Sequence, residues 1–206
     1  MKQLTKFSMG LFGALICTGI SAQEFRFGGG YSGSNVREAG EEQWVGRAGY
    51  NAGVDVVLGG LWFVRPGAYL EVRNLNYSLA QLNSSGVPTG SNIEYRYTDR
   101  SLRVPLLVGR KLLDPADQPA VNAYVFGGPT ALFNLSADLS NDELQVETNH
   151  TQWYIGGGGG LEFSFLFLEG GYNVAMSDVF KGDAFQTNPK VNLVTLTAGV
   201  RLRLAK

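Results

Sequence analysis

Few residues in this chain have the types and spacing that chemistry demands. His150 is the only histidine. Its neighbours Thr151 and Gln152 provide neither a carboxylate to orient an imidazole base nor a nucleophile beside it, so no Ser-His or Asp-His set can be assembled. Cys17, the only cysteine, follows Ile16, where lipoprotein processing needs a small residue. Metal ligation would have to draw on scattered carboxylates such as Asp138, Asp142, Glu143 and Glu147, which more simply keep a polar connection soluble. The run Gly156 to Gly160 invites comparison with a phosphate loop, but no Lys-Ser/Thr follows it and it lies within a strand pattern. Wall space for bulky neighbours explains it better. The expectation is a protein without catalytic, metal or cofactor sites, and not an enzyme.

What the chain does carry is charge at a period of two. Val194, Leu196, Ala198, Val200, Leu202 and Leu204 alternate with Thr195, Thr197, Gly199, Arg201 and Arg203, giving a strand one apolar and one polar face. Residues 62–73 repeat this, with Trp62, Val64, Pro66, Ala68, Leu70 and Val72 opposed to Arg65, Gly67, Tyr69, Glu71 and Arg73. So do residues 46–58, where Ala48, Tyr50, Ala52, Val54, Val56 and Leu58 oppose Arg47, Asn51 and Asp55. Further strands are expected at 25–32, 100–111, 121–134, 153–163 and 167–176, although the two parities of 121–134 are blurred. Pro66 and Pro105 lack the N–H that a central strand uses, which predicts local bulges or strand ends there.

The connections alternate between long polar stretches (33–44, 78–99, 135–152 and 177–191) and short ones (59–61, 112–120 and 164–166). Outer-membrane barrels share this asymmetry, with short periplasmic turns, long outside loops and an even strand number. The expected fold is all-β, an eight-stranded antiparallel up-and-down transmembrane β-barrel with both termini in the periplasm.

The start of the chain fits export. Lys2 and Lys6 precede a ten-residue weakly apolar stretch from Leu11 to Ile20, and Ser21-Ala22-Gln23 offers small residues for cleavage. Residues 1–22 are therefore expected to be a signal peptide, since ten interrupted apolar residues fall short of the ~20 of a spanning helix; residues 23–206 form the barrel. No later run is long enough for a membrane helix either. The whole chain has 17 Lys+Arg against 18 Asp+Glu and 28 Gly, excluding a polybasic nucleic-acid binder and a disordered tail.

The stretch Leu102-Arg-Val-Pro-Leu-Leu-Val-Gly109, followed by Ala123-Tyr-Val-Phe-Gly-Gly-Pro129, resembles the PorT-like group of outer-membrane β-barrel proteins. Gly160-Leu-Glu-Phe163, Leu168-Glu-Gly-Gly-Tyr-Asn173 and Leu196-Thr-Ala-Gly-Val-Arg-Leu202 extend the likeness over nearly the whole exported chain. The resemblance implies an eight-stranded barrel of OmpA/OmpX size, and the founder of the group belongs to a protein-secretion apparatus. It brings no catalytic residues to carry over. Many such barrels end on an aromatic residue, whereas this chain ends Leu204-Ala205-Lys206.

The inward parity collects Arg26, Arg47, Asp55, Arg65, Glu71, Arg73, Arg103, Glu162, Glu169, Arg201 and Arg203, seven cations against four acids. Such charges lose hydration and need partners, so a polar plug that sets register is expected. Trp44, Trp62, Tyr77, Trp153 and Phe163 fall near strand ends, where amphipathic rings meet headgroups. The leading reading is a non-enzymatic barrel in outer-membrane lipid, structural or binding a protein partner through its long loops or periplasmic turns. A narrow porin-like channel, favoured for anions by the positive excess, and a soluble ligand-binding barrel are the alternatives. Partner, solute and oligomeric state are not legible.

Overall fold

The computed structural model describes residues 23–37, 43–82, 88–117, 120–139, 149–179 and 190–204. The leader expected at 1–22 and the acids Asp142, Glu143 and Glu147 lie outside the described residues. Eight strands, β1 (Gln23–Arg37), β2 (Gln43–Gly59), β3 (Trp62–Leu82), β4 (Pro88–Lys111), β5 (Val121–Leu139), β6 (Thr151–Phe163), β7 (Leu166–Ala175) and β8 (Lys190–Arg203), pair in chain order as antiparallel neighbours. The barrel closes where β1 pairs with β8 from Glu24↔Arg203 to Arg37↔Lys190. No helix among the described residues is long and apolar enough to cross a membrane; this barrel has no free edge along the closed part of its wall.

Alternation sets the two faces. Phe27, Tyr50, Val54, Leu70, Leu106, Val108, Val125, Ile155, Leu168, Leu196 and Val200 are exposed outward, while Arg26, Asp55, Arg65, Glu71 and Thr197 are buried inside. A soluble barrel puts its apolar parity inward; here the apolar residues form the outside wall. The parities of β5 blur because its inner face is itself partly apolar. Tyr124 packs there with Val57 and Phe63, and Leu132 with Tyr154, Ala175 and Leu193.

The short connections are tight. In the two-residue turn between β6 and β7, Ser164 takes a positive φ of 50°, and Gly59 opens the β2–β3 turn at φ 124°. The connection 112–120 contains a short 3₁₀ turn at Pro115–Asp117. On the other end the strands run further than the apolar alternation indicates. The connection expected at 78–99 is largely a ladder, with Ser78↔Glu94, Ala80↔Asn92 and Leu82↔Pro88 paired. Leu75 and Tyr97 stay buried inside while the outward residues Asn74, Arg96 and Thr98 are polar, so an outer apolar alternation does not mark this extension.

Proline leaves smaller marks than expected. The ladders skip pairs beside Pro66 and Pro105 but resume in the same register, as Pro66↔Leu106 and Tyr69↔Arg103 show. The described register shifts lie elsewhere, between Arg47 and Tyr50, between Ala80 and Leu82, and between Arg100 and Ser101.

Candidate functional site

The inside of the barrel is packed by three tiers of charged side chains. At the short-turn end Glu24 and Glu162 face Lys111, Arg201 and Arg203. Lys111 Nζ lies 2.8 Å from Glu24 Oε1 and 3.3 Å from Glu162 Oε2. Arg201 Nη1 reaches Glu162 at 2.5 Å and Glu24 at 3.5 Å, and its Nε donates to the Ser164 carbonyl at 2.8 Å. Arg203 Nε reaches Glu24 at 3.1 Å from the rim, where its side chain is about one-third exposed.

The middle tier centres on Glu169, which accepts from Arg65 Nη1 at 2.7 Å, Arg26 Nη2 at 2.9 Å and the Tyr124 hydroxyl at 2.9 Å. Asp55 lies 3.8 Å from Arg26 Nε and accepts from the Tyr69 hydroxyl. Aromatic faces cover the guanidinium groups. Arg26 stands 3.8 Å from the Phe167 ring centroid, Arg65 4.4 Å from that of Phe126, and Arg103 4.6 Å from that of Tyr69. This geometry offsets part of the desolvation that burial imposes on each cation.

In the third tier Arg103 Nε lies 3.0 Å from Glu71 Oε2, and Arg73 pairs with Asp99. Arg73 also donates to Gln152 at 3.1 Å and Tyr154 at 2.8 Å, while Asp99 accepts from Ser101 at 2.5 Å and Asn134 at 2.8 Å.

Glycines make this crowding geometrically feasible. A Cβ at Gly28 would lie 2.8 Å from the Phe167 ring and 2.9 Å from Thr197 Cγ2, and one at Gly160 would run into the Tyr124 phenol. The Gly156 to Gly160 run is thus a stretch of wall against which inner rings lie. What space remains beside Arg65, Arg103, Thr130 and Glu169 is a cavity of about 20 Å³, room for about one water.

Ten of the eleven charges anticipated for the interior belong to these tiers. Arg47 does not: it is exposed on the outer face. Residues Ala48 and Gly49 oppose the single residue Arg73 between the pairs Arg47↔Asn74 and Tyr50↔Val72, and this extra residue turns everything before it to the opposite face. Glu24, Asp99 and Lys111 complete the network and were not anticipated. All three continue the inward parity of Arg26 or Arg103, so counting by twos to the strand ends finds them. With them, the described interior holds six buried cations, Arg26, Arg65, Arg73, Arg103, Lys111 and Arg201, against Glu24, Asp55, Glu71, Asp99, Glu162 and Glu169. Adding Arg203 at the rim makes seven cations against six acids, so the expected excess of three is corrected to one, carried by that partly exposed side chain, and with it goes the ground for anion preference.

Among the aromatics, Trp62 and Phe163 are exposed at the short-turn end and Trp153 at the other. Trp44 pairs in register with Tyr77, but their side chains lie outside the described residues. His150 is exposed next to β6 and offers its carbonyl to the Asn134 amide at 2.9 Å.

A closed eight-stranded barrel with an apolar outer wall and a charged inner one belongs to the class of integral outer-membrane barrels. The chain belongs to the outer membrane protein beta-barrel domain family, whose model matches residues 8–181. Its place is the outer membrane, its outer wall against lipid. Among solved structures it is similar to the outer membrane protein OprG from Pseudomonas aeruginosa, with TM-score 0.55 and 12% identity over 88% of this chain and 95% of that one. Ail, the attachment invasion locus protein of Yersinia pestis, solved with the heparin analogue sucrose octasulfate, gives TM-score 0.48 and 18% identity over 87% and 99%. Neisserial surface protein A gives 0.46 and 12% over 89% and 99%. No curated protein matches the chain.

Proposed function

We propose that this protein is a non-enzymatic barrel that works by contact outside the membrane rather than by conduction through it. The observation that carries this reading is the interior: twelve buried charges of balanced sign packed across the lumen, with a cavity of about 20 Å³ beside Arg65 and Glu169. A water-filled path needs continuous width, and eight strands leave an interior that side chains fill. The network's role is to plug the barrel and fix its register, and the exposed tryptophans anchor it at the headgroups. Residues 1–22 are removed on export.

The working surface is then the end bearing the long connections. There β3 continues ten residues past Val72, and β4 reaches twelve residues beyond Arg100. These strand extensions carry the chain well clear of lipid, where a protein partner can meet it. The PorT-like resemblance adds a secretion apparatus as the setting for that partner.

Photo-crosslinking in intact cells tests this. A reactive residue at Val45, exposed on the extension of β2, should give a discrete protein adduct, whereas one at Leu106 in the apolar wall should capture lipid alone. Absence of a protein adduct at Val45, together with discrete conductance from the folded protein, would overturn contact in favour of conduction.

A further inference from the structure

Between the middle and third tiers the inner wall is recessed, and the sequence shows why. On β6 and β7 the inward positions there are glycines: Gly158 pairs with Gly171, and Gly171 with Thr195. No side chain enters the lumen from either. The cavity of about 20 Å³ lies in this recess, lined by Asp55, Arg65 and Arg103 from β2–β4 and by Thr130, Glu169, Gly171 and Thr195 from β5–β8. A Cβ on Gly171 would have the Thr195 hydroxyl at 3.1 Å, the Gly157 carbonyl oxygen at 3.7 Å and the Phe126 ring at 3.9 Å. A methyl group therefore fits into the recess once Thr195 shifts by a few tenths of an ångström.

Polar groups on this cavity lack partners. Thr130 is only 1% exposed, and its hydroxyl has no hydrogen bond. Asp55 accepts from Tyr69 through Oδ2, whereas its Oδ1 stands 3.8 Å from Arg26 Nε and accepts no hydrogen bond. Arg103 Nε, at 3.0 Å from Glu71 Oε2, is not aligned to donate to it. Buried groups of this kind are costly to leave unpaired. The charges around the cavity decide what can pair with them. Arg65 and Arg103 repel a cation, Asp55 and Glu169 repel an anion, and the four cancel. What suits the site is a neutral molecule that both donates and accepts. Its size is fixed as well, because a water needs at least about 10 Å³ of such space and about two to four polar partners.

We propose that this cavity is a binding site for an ordered water, anchored by the Thr130 hydroxyl and the Arg103 guanidinium. The two residues come from neighbouring strands, β4 and β5, which pair at Arg103↔Leu132 and Pro105↔Thr130. The water accepts from Arg103, shares a hydrogen bond with Thr130, whose hydroxyl can donate or accept, and turns its remaining O–H toward the carboxylate side of the cavity. It thereby links the third tier to the middle one at a level where Arg103 otherwise stacks on the Tyr69 ring, 4.6 Å from its centroid. The site is independent of what the protein contacts outside the membrane.

The test pairs a crystal structure of the full folded barrel, grown with rubidium bromide as its salt and at a resolution that shows ordered water, with reversible denaturant titration in lipid vesicles. Density within hydrogen-bonding reach of Thr130 Oγ1, without an anomalous signal, is expected. Gly171→Ala, whose methyl group takes up the space, should remove that density from an otherwise unchanged barrel. Thr130→Val keeps the shape of the side chain and deletes its hydroxyl. It should lower the folding equilibrium constant about fivefold, the worth of an ordinary hydrogen bond. A hydroxyl without a water predicts the opposite sign, because valine then relieves an unpaired buried group. A dry cavity overturns the proposal, and so does a Thr130→Val variant as stable as the parent or more so. An anomalous peak overturns it in favour of a bound ion, and density that survives in Gly171→Ala overturns the placement of the site. Should either variant not fold, the density in the unaltered protein decides alone.

Discussion

Leu106→Arg puts a charge near the middle of the hydrocarbon. Leu106 is 51% exposed on the outer face of β4, between Arg110 at the short-turn end and Arg100, where the outward apolar run Leu102, Val104, Leu106 and Val108 ends. Four residues separate it from the first and six from the second, or roughly 10 Å and 15 Å along the axis at a tilt near 40°. An arginine at the midplane of a barrel's lipid face costs about 2–4 kcal/mol, falling to about 0–1 kcal/mol near the interfaces. The expected loss in folding equilibrium constant is therefore about 30- to 700-fold for Leu106→Arg. Val45→Arg, on an equally exposed apolar residue (56%) beyond the bulge, should cost no more than about 1 kcal/mol. Reversible denaturant titration in lipid vesicles measures both, with the slope against denaturant confirming that the folded states are comparable. The reasoning is refuted if the two substitutions cost the same, or if Leu106→Arg lies within about 0.5 kcal/mol of the parent.

Other substitutions probe the interior and the turns. Glu169→Gln leaves Arg26 and Arg65 buried without their shared carboxylate, so the same titration should show a loss of about 3–5 kcal/mol; a neutral result would mean the tier is hydrated. Gly160→Ala should destabilise by about 1–3 kcal/mol through its collision with Tyr124. Gly170→Ala, whose Cβ would find its nearest neighbour, the Thr195 carbonyl oxygen, at 3.9 Å, should be neutral or stabilising, and the reverse order would refute the facing of these strands. Ser164→Gly should raise stability by about 0.5 kcal/mol, because the positive φ at that turn costs serine more than glycine loses in entropy.

How far the sequence reveals this molecule depends on where along each strand one looks. Within the apolar band, lipid on one side and packed charge on the other enforce alternation, and Leu196, Thr197, Ala198 and Val200 show their facing directly in the sequence. Beyond the band the outward residues turn polar, as Arg96, Thr98 and Arg100 do, and the contrast between the two faces is lost although the inside stays packed. Asp99 accordingly fell in a stretch that looked like a connection, although it shares the parity of Ser101 and Arg103. Arg47 departs from its apparent parity for a different reason. A bulge leaves no period to count, and its local sign, Gly49, whose Cβ would strike the Val72 carbonyl, is one glycine among many. The charge count shifts with these few positions: moving Arg47 out and bringing Glu24, Asp99 and Lys111 in leaves seven cations against six acids, and the seventh cation, Arg203, stands partly exposed at the rim. Side-chain partners such as Arg26 and Glu169, 143 residues apart, depend on barrel closure and shear, which no local pattern records.

Recording current across a planar bilayer shows whether the charge network closes the barrel. The sample should be protein whose heat-dependent gel mobility shows it to be folded. Membranes that contain the barrel should show no discrete current steps. A reproducible unitary conductance from the folded protein would contradict it.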